Sequence, residues 1–194
     1  MKNMNLPNKL TIARIIATPV FLFFLLCDFP FHYFLAMLIF IAAALTDLFD
    51  GKYARKHNLV TDFGKFLDPL ADKMLTTAAF IGFLAKNIGG GMEWILFIVL
   101  FREFMVSSIR LIAVSSGGKV IAANKWGKLK TVSQMTAIIY TLFAAGLTDL
   151  IRIPLLSAIL GGVAYLLLWI SAILCIVSGV IYLKDNFSFL DPEK

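Results

Sequence analysis

Apolar stretches long enough to cross the roughly 30 Å hydrocarbon core of a bilayer recur along the whole chain. Six are read: Leu10–Leu26, Phe31–Thr46, Phe66–Ala85, Trp94–Ser115, Val132–Leu147 and Leu155–Leu183. The second and fifth are short as purely apolar runs. They reach spanning length only if their helices continue into the polar residues beside them, so those residues face something other than lipid. Hydrophobic residues make up 60% of the chain, and the mean hydropathy is +0.86. Soluble domains sit nearer about 45–50% apolar, and a water-soluble protein of this size has no interior large enough for the excess. The expected fold is an all-α integral membrane protein with six transmembrane helices. No long soluble segment, repeat or low-complexity stretch interrupts the spans, so residues 1–194 read as a single membrane-embedded domain.

Placement of charge orients the spans. Lys2 and Lys9 precede the first; Lys52, Arg55, Lys56 and Lys65 lie between the second and third; Lys119, Lys125, Lys128 and Lys130 lie between the fourth and fifth. The opposite connections hold only Lys86 and Arg152. Basic residues mark the cytoplasmic side, so both termini and the two basic connections are expected there. The net charge of +6 thus reads as topology, and no nucleic-acid partner is expected. The first span carries Arg14 and Pro19 and lacks a small-x-small cleavage site, so it reads as a retained helix and not a signal peptide. Cys27 and Cys175 are isolated from one another and read as packing residues.

The most informative polar stretch runs from Thr46 to Lys73 and contains Asp47, Asp50, Asp62, Asp68 and Asp72, five of the twelve acidic residues. Asp47 and Asp50 are three apart and share one helical face; Asp68 and Asp72 are four apart and share another. Two helices joined by a short loop can turn these faces toward each other. Four carboxylates crowded at a membrane boundary repel and raise one another's pKa unless cations hold them. Oxygen ligands without a neighbouring His or Cys suit Mg²⁺, Mn²⁺ or Ca²⁺ and not zinc. Two such ions offset four negative charges and leave a site able to take a pyrophosphate. Gly51, Ala54 and Gly64 are small and leave the backbone open to a ligand, Arg55 offers a planar fork of donors to phosphate oxygens, and Thr61 adds a hydroxyl. Solvated acids in a loop are the alternative, but the apolar flanks of Asp68 and Asp72, Phe66–Leu67 and the run from Met74, argue against free exposure.

The order Asp-x-x-Asp-Gly-x-x-Ala-Arg, eight residues, then Gly-x-x-x-Asp-x-x-x-Asp resembles the signature of the CDP-alcohol phosphatidyltransferase family. Asp47, Asp50, Gly51, Ala54, Arg55, Gly64, Asp68 and Asp72 fill it without a departure. The resemblance implies six transmembrane helices, a homodimer, and a cytoplasmic site in a bacterial plasma (inner) membrane. It implies that the four aspartates bind two divalent ions, Mg²⁺ or Mn²⁺, and that Asp72 is the base. Gly51, Ala54, Arg55, Thr61 and Gly64 would contact the CDP part of a CDP-diacylglycerol donor whose tails remain among membrane lipids.

A second polar set interrupts the fourth span: Arg102, Glu103, Ser107, Ser108 and Arg110. Arg102 lies near mid-membrane, where facing lipid costs at least about 2.5 kcal/mol, so it is expected to face a polar cavity or a partner near Glu103. Arg102, Arg110, Lys128 and Lys130 can form a basic pocket for an anionic acceptor; the lysines equally satisfy topology and anionic lipid. NLPNKLTIAR, REFMVSSIR and GKLKT resemble segments of the bacterial phosphatidylglycerophosphate synthase branch, which implies sn-glycerol 3-phosphate as acceptor. Phosphatidylinositol phosphate synthases also take a phosphorylated acceptor, so the basic pocket does not separate the two. From another class, a cation transporter would need acids along a route through the membrane, and a structural scaffold leaves the clustered acids unexplained. Asn8, Thr11 and Arg14 are read as an edge of the nucleotide groove, Pro69 as a perturbation of the third helix, Trp94, Trp126 and Trp169 as interface anchors or packing, Gly89–Gly91 as a flexible connection, and His32 and His57 as non-ligands.

Overall fold

The computed structural model describes residues 5–56, 62–115 and 125–187. The side chains of some helical residues lie outside that description, among them every residue of the aspartate signature; His57, Thr61 and Lys119 lie outside it entirely. The described elements are six helices: α1 Leu6–Leu26, α2 His32–Lys56, α3 Asp62–Ala85, α4 Met92–Ser115, α5 Lys125–Ile151 and α6 Pro154–Asp185. No strand occurs among the described residues. Each apolar run became one helix. α2 continues past Thr46 to Lys56 and α5 starts before Val132, at Lys125, so both reach length by continuing through polar residues.

Three segments are long and apolar enough to cross a membrane unaided: Asn8–Leu26, Lys125–Ile151 and Pro154–Asp185. The described apolar parts of α2 and α3, His32–Thr46 and Lys73–Ala85, are shorter, and α4 is broken by Arg102, Glu103 and Arg110. Among the described residues, α3 and α4 meet their neighbours through Lys73, Arg102 and Glu103.

The helices close into a ring in which packed neighbours run α1, α2, α5, α6, α4, α3 and back to α1, with α3 also touching α2 and α5 across the middle. Large apolar side chains cover the outside. On α4, Trp94, Phe97, Phe101, Phe104 and Leu111 form one exposed stripe, Phe104 being 69% exposed, and Leu155 at the start of α6 is 72% exposed. Such a surface is stable only where the surrounding medium is itself apolar. This is a membrane protein. The interior is divided by depth. Phe21, Phe40, Phe80, Phe83, Ile95 and Leu142 are fully buried in one half, while α1 buries Asn8, Thr11, Arg14 and Thr18 in the other.

The turns are tightly specified. α3 ends in a Schellman motif: Ile88 N–H reaches the Phe83 carbonyl at 2.9 Å and Asn87 N–H the Leu84 carbonyl at 3.1 Å, with Asn87 in the left-handed region at φ 53°. The glycine run that follows is not the loose connection expected. Gly91 lies at φ 74°, a Cβ on it would meet Trp169 Cζ2 at 2.9 Å, and the Trp169 indole N–H donates to the Gly90 carbonyl at 3.3 Å. Glycine is required there because the backbone bends beneath an indole. α3 runs as one helix through Pro69. His32, at the opposite end of α2 from the aspartates, donates Nδ1–H to the Phe24 carbonyl at 3.2 Å.

Candidate active site

Two close contacts fix the depth of α1 against its neighbours. The rings of Phe21 and Phe40 lie 5.6 Å apart, which pairs the antiparallel α1 and α2. Leu25 packs directly on Gly82, which pairs the parallel α1 and α3. Counting along the chain from these pairs sets the level of every acid, because each helix rises by about 1.5 Å per residue. Seven residues back from Phe21 is Arg14, and seven forward from Phe40 is Asp47; ten back is Thr11, and ten forward is Asp50. Fourteen residues back from Leu25 is Thr11, and fourteen back from Gly82 is Asp68; ten back gives Ile15 and Asp72. All four aspartates therefore fall between the levels of Thr11 and Ile15, within about 6 Å of depth.

At that depth α1 presents a buried polar edge. Asn8, Thr11, Arg14 and Thr18 follow one another at three- and four-residue steps, and Thr11 is 0% and Arg14 2% exposed. The Thr18 hydroxyl returns to the Arg14 carbonyl at 3.0 Å; Asn8, Thr11 and Arg14 are likewise not without partners. A buried guanidinium demands anions or acceptors around it. Arg14 is thus a buried polar residue at the level counted for the acids.

The donor chemistry of this level fits hard divalent cations. His32 lies at the far end of α2 and Cys27 just past the far end of α1, so aspartate is the ligand type that the sequence of α2 and α3 offers at this level. The described residues do not by themselves group three or more His, Cys, Asp or Glu, since the four carboxylates are outside the described side chains. Below the acids the packed phenylalanines of α1, α2 and α3 fill the interior. The buried hydroxyls at that depth turn back onto their own helices: Thr141 to the Ala137 carbonyl at 2.7 Å and Ser171 to the Leu168 carbonyl at 2.7 Å. Among the described residues no line of acids leads onward through the membrane, as an ion pathway would need.

A second polar centre lies beside the first. Glu103 on α4 accepts from Lys130 of α5 and from Arg102 Nη1 at 3.1 Å, and Lys73 of α3 stands 3.7 Å away. Lys73 also donates to Ser107, and Arg102 Nη2 donates to Ser178 of α6 at 2.9 Å. Gly179 makes room for this arginine, since a Cβ there would lie 3.1 Å from Arg102 Cγ. Of the four cations read as an acceptor pocket, Arg102 and Lys130 meet at Glu103, whereas Arg110 on α4 and Lys128 on α5 are exposed. Sequence reasoning missed Lys73, Ser178 and the hub role of Glu103. A polar residue repeated within apolar α6 was the available signal for Ser178; nothing in local spacing could pair Lys73 with Glu103.

At the opposite end of the bundle Lys86 bonds Asp28. That hydrogen bond and the charge of Lys86 hold the Asp28 carboxyl below its ordinary value of 3.8.

Known proteins include relatives of the chain. The family model for CDP-alcohol phosphatidyltransferase matches residues 4–177. A Bacillus subtilis protein named CDP-diacylglycerol–glycerol-3-phosphate 3-phosphatidyltransferase is 38% identical over 198 residues, covering 96% of this chain and 97% of its own. A Rickettsia bellii protein of the same name is 39% identical over 184 residues, covering 93% and 94%. A cardiolipin synthase (CMP-forming) of Oryza sativa is 35% identical over 201 residues, which span 97% of this chain but 59% of the rice protein. With a match over nearly all its length, the chain belongs to the CDP-alcohol phosphatidyltransferase family.

Proposed function

We propose that this protein transfers the phosphatidyl group of CDP-diacylglycerol to sn-glycerol 3-phosphate, giving phosphatidylglycerophosphate and CMP. The observation that carries the reading is the common depth of Asp47, Asp50, Asp68 and Asp72 beside the buried polar edge of α1. The Bacillus and Rickettsia relatives, similar from end to end, support the choice of acceptor.

In this reading the four aspartates hold two divalent ions, Mg²⁺ or Mn²⁺. When bound, the ions polarise phosphoryl oxygens and offset charge on the leaving phosphate. Arg55, with Gly51, Ala54, Thr61 and Gly64, receives the CDP part, where a guanidinium fork suits phosphate oxygens and small residues admit the ligand to the backbone. Asp72 takes the proton of the acceptor's 1-hydroxyl. The freed oxygen bonds to the lipid-side phosphorus as that phosphorus parts from the bridging oxygen, and CMP leaves with the electron pair. General-base help of this kind is worth about 10²–10⁴-fold, and holding both substrates in line supplies a further large factor. Arg102 and Lys130, with Arg110 and Lys128 at the rim, receive the acceptor's phosphate. The acyl tails stay in the bilayer. The site opens to the cytoplasm of a bacterial inner membrane, with both termini on that side, and the protein works as a homodimer.

Release of CMP from CDP-diacylglycerol in nanodiscs tests this, with glycerol 3-phosphate, inositol phosphate, serine and glycerol offered in turn, with and without divalent metal. The expected result is metal-dependent release with glycerol 3-phosphate and phosphatidylglycerophosphate as the lipid product. Release driven by inositol phosphate would assign the chain to the other phosphorylated-acceptor branch. Cardiolipin formed when phosphatidylglycerol is offered as the acceptor would match the rice relative instead. No release with any acceptor would end the reading.

A further inference from the structure

Among the described residues Glu103 is the one carboxylate that meets three cations drawn from three helices: Lys73 of α3, Arg102 of α4 and Lys130 of α5. Its side chain is 15% exposed and that of Lys130 9%. Among the described side chains, one negative charge against three positive ones leaves a formal surplus of two. A network built only to hold helices together gains nothing from such a surplus, because buried charges are expensive unless balanced. Hydrogen-bond donors are in surplus as well. Arg102 Nε is buried with no acceptor, and so is the amide nitrogen of Gln134, one turn along α5 from Lys130. Two spare charges and spare donors are what a phosphate monoester dianion, with its several acceptor oxygens, would complete. Glu103 carries the same sign as that phosphate, so it is not the group that touches it. Its work is on the cations.

We propose that Glu103 is a positioning residue for the acceptor: it fixes Lys130 and Arg102 where they receive the acceptor's phosphate and, through Lys73, ties that pocket to the segment of α3 that carries Asp72. Lys73 directly follows Asp72 in the chain, so the clamp sets the distance between the hydroxyl's base and the phosphate's anchor. The inference rests on the phosphatidyl-transfer reading above. Removing the carboxylate does not simply strengthen the attraction for phosphate. A buried ammonium left without its counter-ion is not held in place, and the pocket loses the cation it was meant to hold.

The test is steady-state kinetics of purified Glu103→Gln and Glu103→Asp in nanodiscs, varying glycerol 3-phosphate at saturating CDP-diacylglycerol and the reverse. Glu103→Gln should raise KM for glycerol 3-phosphate about tenfold, as expected for losing a charge-assisted bond, with KM for the donor within about twofold. Glu103→Asp keeps the charge on a shorter arm and should raise the acceptor KM about threefold. If the Gln variant does not fold, the Asp variant decides alone by the same split between acceptor and donor. An unchanged or lowered acceptor KM, equal changes in both constants, or failure of both variants to fold would overturn the proposal. Wild-type protein that releases no CMP in response to glycerol 3-phosphate would instead overturn the reading beneath it.

Discussion

Replacing Gly82 with alanine probes the contact on which the depth of α3 against α1 depends. A Cβ at position 82 would lie 2.2 Å from Leu25 Cδ2, 3.1 Å from Leu25 Cγ and 3.3 Å from Leu22 Cδ1. Carbon atoms rest about 3.5–4.0 Å apart, so the Leu25 tip must retreat by more than about 1 Å. Leu25 is fully buried among the core side chains, so a displaced tip has to push against packed neighbours. Overpacking of this kind costs about 1–3 kcal/mol. Alanine in a helix interior returns about 1 kcal/mol relative to glycine, which masks part of the clash. The control is therefore Gly161→Ala in α6, where nothing lies within 4 Å and the propensity gain stands alone. The two variants should differ by about 1–3 kcal/mol, the steric term by itself. At roughly 2–4 °C per kcal/mol for a chain of this size, Gly82→Ala should melt several degrees below Gly161→Ala. Fluorescence-detected size exclusion after heating in detergent measures this directly. Equal melting of the two variants would show that α1 and α3 do not meet at Leu25 and Gly82, and the shared level of Thr11 with Asp68 would lose its anchor.

Three further outcomes are expected. Asp72→Asn should insert, elute and melt like the parent protein while CMP release falls by about 10²-fold or more, the loss expected for a general base; release within a few-fold of the parent would take Asp72 out of that role. Chelation by EDTA should abolish CMP release and added Mg²⁺ or Mn²⁺ should restore it, whereas undiminished turnover in EDTA would refute the metal reading of the aspartates. The Asp28–Lys86 pair should stabilise the fold above pH 3.8, the ordinary carboxyl value, and cease to do so as pH falls through the lowered value of the folded state. A difference in Tm between wild type and Lys86→Met that is present near neutral pH should accordingly close under strong acid, and a difference that grows on acidification would contradict the pairing.

What was legible in the sequence follows physical range. Helix number and order came from apolar runs, because a span has to be apolar over its own length. The continuation of α2 and α5 into polar residues followed from the same requirement, and both helices do continue, to Lys56 and from Lys125. The acids could be placed on shared helical faces, since steps of three and four are local properties of a helix. The polar edge of α1 was visible in part: Asn8, Thr11 and Arg14 were linked to the site, but Thr18, which extends the same buried edge, was not. The pairing of Glu103 was not legible. Lys130 is 27 residues away in sequence and Ser178 lies 76 from Arg102, and only the ring order of helices brings such residues together. Gly89–Gly91 misled for a related reason. Glycine reads as freedom when the indole that packs over it is contributed by a distant helix.

α1 contributes no carboxylate, yet it packs along both helices that do. In the proposed reading, the spacing of the two aspartate-bearing helices is therefore set by a helix that supplies none of the metal's ligands. Widening α1 at Thr11, by a larger side chain of any kind, should prise the two acidic helices apart and weaken metal affinity while every aspartate stays intact. On the proposed assignment of the four aspartates as metal ligands, sequence changes confined to the first helix would in this way retune a site whose ligands all come from the second and third.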